Sequence, residues 1–178
     1  MEQSLIEIAI DAGANGAGVV AVDQITFRPE FLAACEQNVC GKYGTCWMCP
    51  PDVGNIHDLI ARVKEYTYML VFQSIGQLED SYDIEGMQAA AIAHNTLSAK
   101  LAERLDGVLE SPLRLGAGAC HVCPRCTKLD DLPCAYPEQA VASLEAHGIA
   151  VSELAAQSGL QYMNGVNTVT YFGGFLFQ

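Results

Sequence analysis

The chain has 178 residues, a net charge of −12, 51% hydrophobic residues and eight cysteines. That length suits one domain, residues 1–178, with enough core to fold without disulfide staples. The acidic balance argues against nucleic acid and against anionic membrane surfaces, because both call for a basic face.

The N-terminal "MEQSLIEIAI" carries early acids and an apolar run too short for a signal peptide. No stretch reaches the length of a membrane span. The expectation is a cytoplasmic protein, in a compartment where structural disulfides are rare.

Ser4 to Ala12 is predicted as a short helix ending in "GANGAG". A dinucleotide fingerprint needs its glycines after a strand and before a helix. Here the order is reversed, so they read as a plain turn. The β-branched "AGVVAVDQITF" predicts a strand from about Ala17 to Ile25, and Pro29 opens a short helix leading into a first cysteine group. Asn55 is placed to cap a helix running to about Lys64. "YTYMLVFQSIG" has the continuous apolar run of a strand covered on both faces.

Residues 84–105 predict a long helix, with a stripe through Met87, Ala90, His94, Leu97, Leu101 and Leu105. His94 on that stripe reads as a core histidine. Asp106-Gly107 ends the helix, and "SPLRLGAG" is a short strand delivering the chain into a second cysteine group. Glu138–Ala146 and Ser152–Ala156 are expected as short helices, with "NTVTYFGGFLF" as a closing strand. The fold class is α/β, or α+β: a small mixed or parallel sheet of about four strands with helices packed on it. The N-terminal half has the look of βαβ crossover units. The cysteines fall outside the elements, in loops at one end, where sites are usually mounted.

The second group reads Cys120-x2-Cys123-x2-Cys126-x7-Cys134, with Pro137 beyond it. Zinc sites favour separated pairs that each grip one edge of a tetrahedron. Three cysteines at successive x2 spacing instead wrap a loop around one face of a cubane, as in the bacterial ferredoxin run. The small residues of "LGAGAC" let backbone N–H groups approach inorganic sulfides. These four residues are therefore candidate ligands of a 4Fe-4S cluster, with zinc the alternative. The first group reads Cys35-x4-Cys40-x5-Cys46-x2-Cys49, followed by Pro50-Pro51. Four thiolates there suit a second 4Fe-4S cluster, or a tetrahedral zinc. Lone cysteines often serve as small hydrophobes, but eight grouped four and four do not.

"CGKYGTCWMCPP", together with "AGACHVCPRCTKLDDLPCAYPEQAVASLEAHGI", resembles a domain-of-unknown-function family described as predicted metal-binding proteins. The resemblance runs from about Val19 to the C-terminal "TVTYFGGFLF". It implies a cysteine-rich protein of the kind common in anaerobic bacteria and archaea, binding an iron–sulfur cluster or another metal, with no particular reaction attached. The family motif centres on the counterparts of Cys35, Cys40 and Cys49, and Cys46 stands where another residue is common. Three ligands leave one iron open to a substrate, whereas four close the site.

Near the second group, His121 reads as a loop histidine or a cluster-tuning donor. Arg125 and Lys128 either offset thiolate charge or are solvated. Trp47 either shields a cluster or simply packs. No nucleophilic triad order, P-loop, paired carboxylates or H-E-x-x-H motif stands out. With Cys46 closing the first site, the function expected is one-electron transfer to or from a partner protein. The alternatives are a metalloenzyme with an open cluster at Cys35, Cys40 and Cys49, and a zinc-stabilised structural or metal-handling protein.

Overall fold

In a computed structural model, which describes residues 2–178, the chain runs α1 (Glu2–Ala12), β1 (Gly16–Ala21), α2 (Phe31–Glu36), α3 (Ile56–Val63), β2 (Tyr68–Gln77), α4 (Ile84–Leu105), β3 (Leu113–Gly116), β4 (Ala142–Ser143), α5 (Val151–Gln157) and β5 (Thr168–Phe177). The apolar runs foreseen as strands form the middle of the sheet. β2 and β5 pair antiparallel along their whole length, from Tyr68 opposite Phe177 to Gln77 opposite Thr168. β1 flanks β2 and β3 flanks β5, both antiparallel, while β4 runs parallel to β3 at the far edge. The order is β1-β2-β5-β3-β4.

The mixed sheet with helices packed on it matches the expected class, with five strands rather than about four. The βαβ look of the N-terminal half does not hold: β1 and β2 are antiparallel neighbours, although α2 and α3 lie between them in sequence. Hydrophobic alternation reads the same in either direction, so it could not fix strand direction.

Alternation along the strands divides the core in two. Met69, Val71, Phe172 and Leu176 meet Val63 of α3, Leu154 of α5, and Leu144 and Ile149 on one face. Leu70, Phe72, Phe175 and Phe177 meet Leu5 and Ala9 of α1 and Leu97, Leu101 and Leu105 of α4 on the other. β2 is therefore covered on both sides, which is why its sequence is apolar without a break. His94 is buried in the second core. It stacks on Phe72 with ring centroids 5.2 Å apart, and its Nδ1 lies 2.8 Å from Ser74 Oγ.

The caps behave as their side chains predict. Asn55 Oδ1 accepts from His57 N–H at 2.9 Å, and Asp83 Oδ1 accepts from Gly86 N–H at 2.8 Å, starting α3 and α4. β1 stops at Ala21, four residues short of the expected end, where Val22–Gln24 tightens into a 3₁₀ turn. The helix expected over Glu138–Ala146 is absent. Ala142 instead pairs with Leu115, the Leu144 N–H donates to the Gly116 carbonyl at 3.0 Å, and a 3₁₀ turn follows at Glu145–His147. Docking on the edge of the sheet outweighs the local helix preference of that segment. Among the described residues, no helix is long and apolar enough to cross a membrane.

Candidate metal centre

All eight cysteines are thiols, none paired in a disulfide. Cys35 sits in the last turn of α2 rather than in a loop, a correction to the expectation that every cysteine falls outside the elements. Beyond it the chain folds into successive tight turns. Asn38 Oδ1 accepts from Tyr43 N–H at 3.0 Å, Gly44 N–H donates to the Pro50 carbonyl at 2.9 Å, and Cys49 N–H donates to the Cys46 carbonyl at 3.0 Å. These bonds turn the segment back on itself, and the charges of Cys40 and Cys35 both bear on Cys49.

The second group begins where β3 ends. Gly118 has φ 67°, a left-handed conformation in which the chain swings off the sheet edge at little steric cost. Cys120 and Cys123 follow in irregular loop, Cys126 immediately precedes a 3₁₀ turn at Thr127–Asp130, and Thr127 Oγ1 donates to the Pro133 carbonyl at 2.9 Å just before Cys134.

Two side chains clamp the loops together. Trp47 Nε1 donates to the Leu132 carbonyl at 2.9 Å. Lys128 Nζ stands 4.4 Å from the centre of the Trp47 ring and 2.8 Å from an Asp52 carboxylate oxygen. Both ends of that ion pair are sheltered, with side chains 20% and 17% exposed, so water screens it less than a surface pair. Trp47 thus packs as a bridge between loops, and Lys128 is part of the same bridge. Arg125 pairs with Asp130 in its own loop, and His121 is solvent-exposed.

Cys46 decides how the thiols are divided. It is buried, 3% exposed, and with Cys120, Cys123, Cys126 and Cys134 it lines one small cleft, walled also by Trp47, Met48, Val122 and Tyr136. Its thiol is lowered to about 5. The main cause is a hydrogen bond from Cys49, opposed by burial and helped by the backbone N–H groups of Met48 and Cys120 and by the Cys126 thiol. Cys49 is correspondingly held far above the ordinary thiol range, first by donating to Cys46 and then by burial and the charges of Cys46, Cys40 and Cys35. Cys35 is raised by burial and then by Cys40, Glu145 and Glu36. Cys123 is raised by desolvation and then by Cys120, Cys134, Cys126 and Cys46.

The four-and-four division of the sequence is therefore not the spatial one. Cys46 lines the cleft of the second group with Cys120, Cys123, Cys126 and Cys134, while its charge and those of Cys40 and Cys35 bear on Cys49. Spacing does not reveal this, because the meeting of Cys46 with Cys120 and Cys126 is made by tertiary folding. Three further residues near the thiols were missed in the sequence. Asp52 holds Lys128, Glu145 faces Cys35, and Arg114 is close enough to Cys120 to feel its charge. Arg114 was the one with a visible signal, as a lone cation inside an apolar strand.

The donor chemistry suits a thiolate-ligated group: Cys46, Cys120, Cys123, Cys126 and Cys134 line one cleft between two clamped loops, behind the aromatic and apolar walls of Trp47, Met48, Val122 and Tyr136. Among the described residues, no three His, Cys, Asp or Glu side chains are drawn in to the spacing of ligands on a single ion. Closing the ligands would fall to the bound centre itself.

A family model described as "Predicted metal-binding protein (DUF2284)" matches residues 18–177. No curated protein and no solved structure matches the chain.

Proposed function

The chain belongs to that family of predicted metal-binding proteins, and from this premise we propose that it is an iron–sulfur protein carrying two adjoining 4Fe-4S clusters and passing single electrons to or from a partner protein. Cys120, Cys123, Cys126 and Cys134 would hold one cluster, and Cys35, Cys40 and Cys49 the other, with Cys46 completing a set. Such clusters, when bound, supply one-electron transfer over a wide range of potentials.

The observation that carries the reading is the place of Cys46, which belongs to the first group in sequence yet lines one cleft with Cys120, Cys123, Cys126 and Cys134, while its charge bears on Cys49. Two thiol groups joined in this way lie close enough to act as one path for an electron. The chain's own residues support the role. Trp47, Met48, Val122 and Tyr136 limit water around the second group, and the Lys128–Asp52 pair holds the two loops in one arrangement. A partner with a basic face would be steered by the net charge of −12. The thiols call for a reducing compartment such as the cytoplasm.

The same observation favours a second reading. If Cys46 serves the second group in place of one of its four cysteines, the first keeps only Cys35, Cys40 and Cys49, and an iron held there has room for a small substrate. Dithionite titration of anaerobically purified protein, followed by visible absorption and electron paramagnetic resonance, separates the two. Electron transfer requires reversible bleaching, with both reduced signals altered in Cys46→Ser. An open site requires that an added substrate perturb one signal alone, and that Cys46→Ser leave that signal intact. A colourless protein contradicts both.

A further inference from the structure

On the α4 face, the helical layer stops before the sheet does. The apolar cluster there draws on β2 and β5 and contains no residue of β3 or β4. The uncovered ground is an open cleft of about 1110 Å³, bounded by α4 on one side and by residues 116–124 and 138–141 on the other. It is kept open by small residues, Ala91, Ala99 and Ala102 on the helix and Gly116, Ala117 and Ala119 opposite. The volume is just above the range of small-molecule sites, which run from about 300 to 1,000 Å³.

Arg114 is the only Arg or Lys among the residues that line it. Leu113 and Leu115 pack into the opposite core, so strand alternation turns Arg114 toward α4. Its Nε donates to Ser98 Oγ at 2.9 Å, and Ser98 is itself 2% exposed and fixed on the helix. Among the described residues, no carboxylate oxygen lies within 4.0 Å of this guanidinium. Burial pulls its pKa down, opposed by the charge of Cys120, and the guanidinium stays charged. A sheltered cation is costly unless it is paired, and with Nε tethered the fork of terminal nitrogens is oriented for a planar carboxylate.

Two further features narrow the ligand. Glu103 and Glu138 also line the cleft, two carboxylates against one guanidinium, which disfavours multiply charged anions such as phosphates. Ala91, Ile92, Ala99, Ala102 and Val141 offer apolar wall to the rest of the molecule. We infer that this cleft binds a small monocarboxylic acid with a short apolar body, its carboxylate on Arg114, beside the loop of Cys120 and Cys123. The inference goes beyond electron transfer and is tested independently of it.

Binding of propanoate, benzoate and inorganic phosphate to the anaerobically purified full chain can be followed by saturation-transfer NMR and calorimetry. The parent should bind the carboxylates saturably and phosphate more weakly. Arg114→Gln should weaken carboxylate binding about tenfold or more, the scale of a lost charge-assisted pair. Arg114→Lys should recover only part of it, and Arg104→Gln, an exposed charge on α4, should change nothing. Ala99→Phe, which fills the cleft and leaves Arg114 in place, should also abolish binding and so guards against misfolding of the Arg114 variants. Three outcomes overturn the inference: no saturable carboxylate binding, binding indifferent to Arg114→Gln, or phosphate bound at least as tightly. A shift of cluster potential in Arg114→Gln with carboxylate binding intact would assign Arg114 to charge compensation alone.

Discussion

His94 carries the clearest consequence at the scale of a single residue. It is 1% exposed, and burial, with a smaller contribution from the charge of Arg114, holds its pKa at about 4, below the usual 6.5. The folded state therefore binds this proton less readily than the unfolded chain does. Its contribution to stability is fully present above about pH 6.5, shrinks as pH falls, and is gone below about pH 4. From pH 7 to pH 5 the loss from this group alone amounts to about 2 kcal/mol. Unfolding free energies from urea titrations of the parent and of His94→Gln, compared at the two pH values, should converge by about that amount at the lower pH. A constant difference between them would mean that His94 titrates in the fold as it does in the unfolded chain. The sequence did show this residue's place, because it falls on the apolar stripe of a long helix. The role of Cys46 was not visible in that way. Its neighbours Cys120 and Cys126 are distant in the chain, and spacing reports only local geometry.

At the scale of elements, what was legible followed from period and caps. α4 was placed from its stripe and its terminal Asp106-Gly107, α3 from Asn55, and β2 and β5 from their unbroken apolar runs. What was not legible depended on pairing. β4 exists because Ala142 and Ser143 find an edge beside Leu115 and Gly116, and nothing in Glu138–Ala146 states that in advance. Close approach is equally hidden. Gly18 in β1 was read as part of an ordinary β-branched strand, yet a Cβ there would lie 2.1 Å from the Ser158 carbonyl oxygen, just past the end of α5. Backbone cannot yield as a flexible side chain does, so Gly18→Ala should force α5 outward at a cost of about 1–3 kcal/mol. In a chain of this length that is several degrees in Tm, roughly 2–4 °C per kcal/mol. Thermal unfolding followed by circular dichroism reads it directly, and an unchanged Tm would show that the α5 contact gives way without strain.

At the scale of the whole molecule, the sheet brings together loops that the sequence keeps apart. β1 and β2 frame the segment with Cys35 to Cys49, β3 and β4 frame the segment with Cys120 to Cys134, and the Trp47–Lys128–Asp52 contacts lock one against the other. Metal binding was readable from the cysteines, and the family shares it; the place of Cys46 in the cleft of the second group was not. The central claim, two adjoining thiolate-held clusters in one domain, is tested most directly by metal and acid-labile sulfide analysis of protein purified without oxygen and without reconstitution. About eight iron and about eight sulfide per chain is the predicted result. About four iron with one zinc would remove the second cluster, and no iron in protein that never met oxygen would contradict the claim outright.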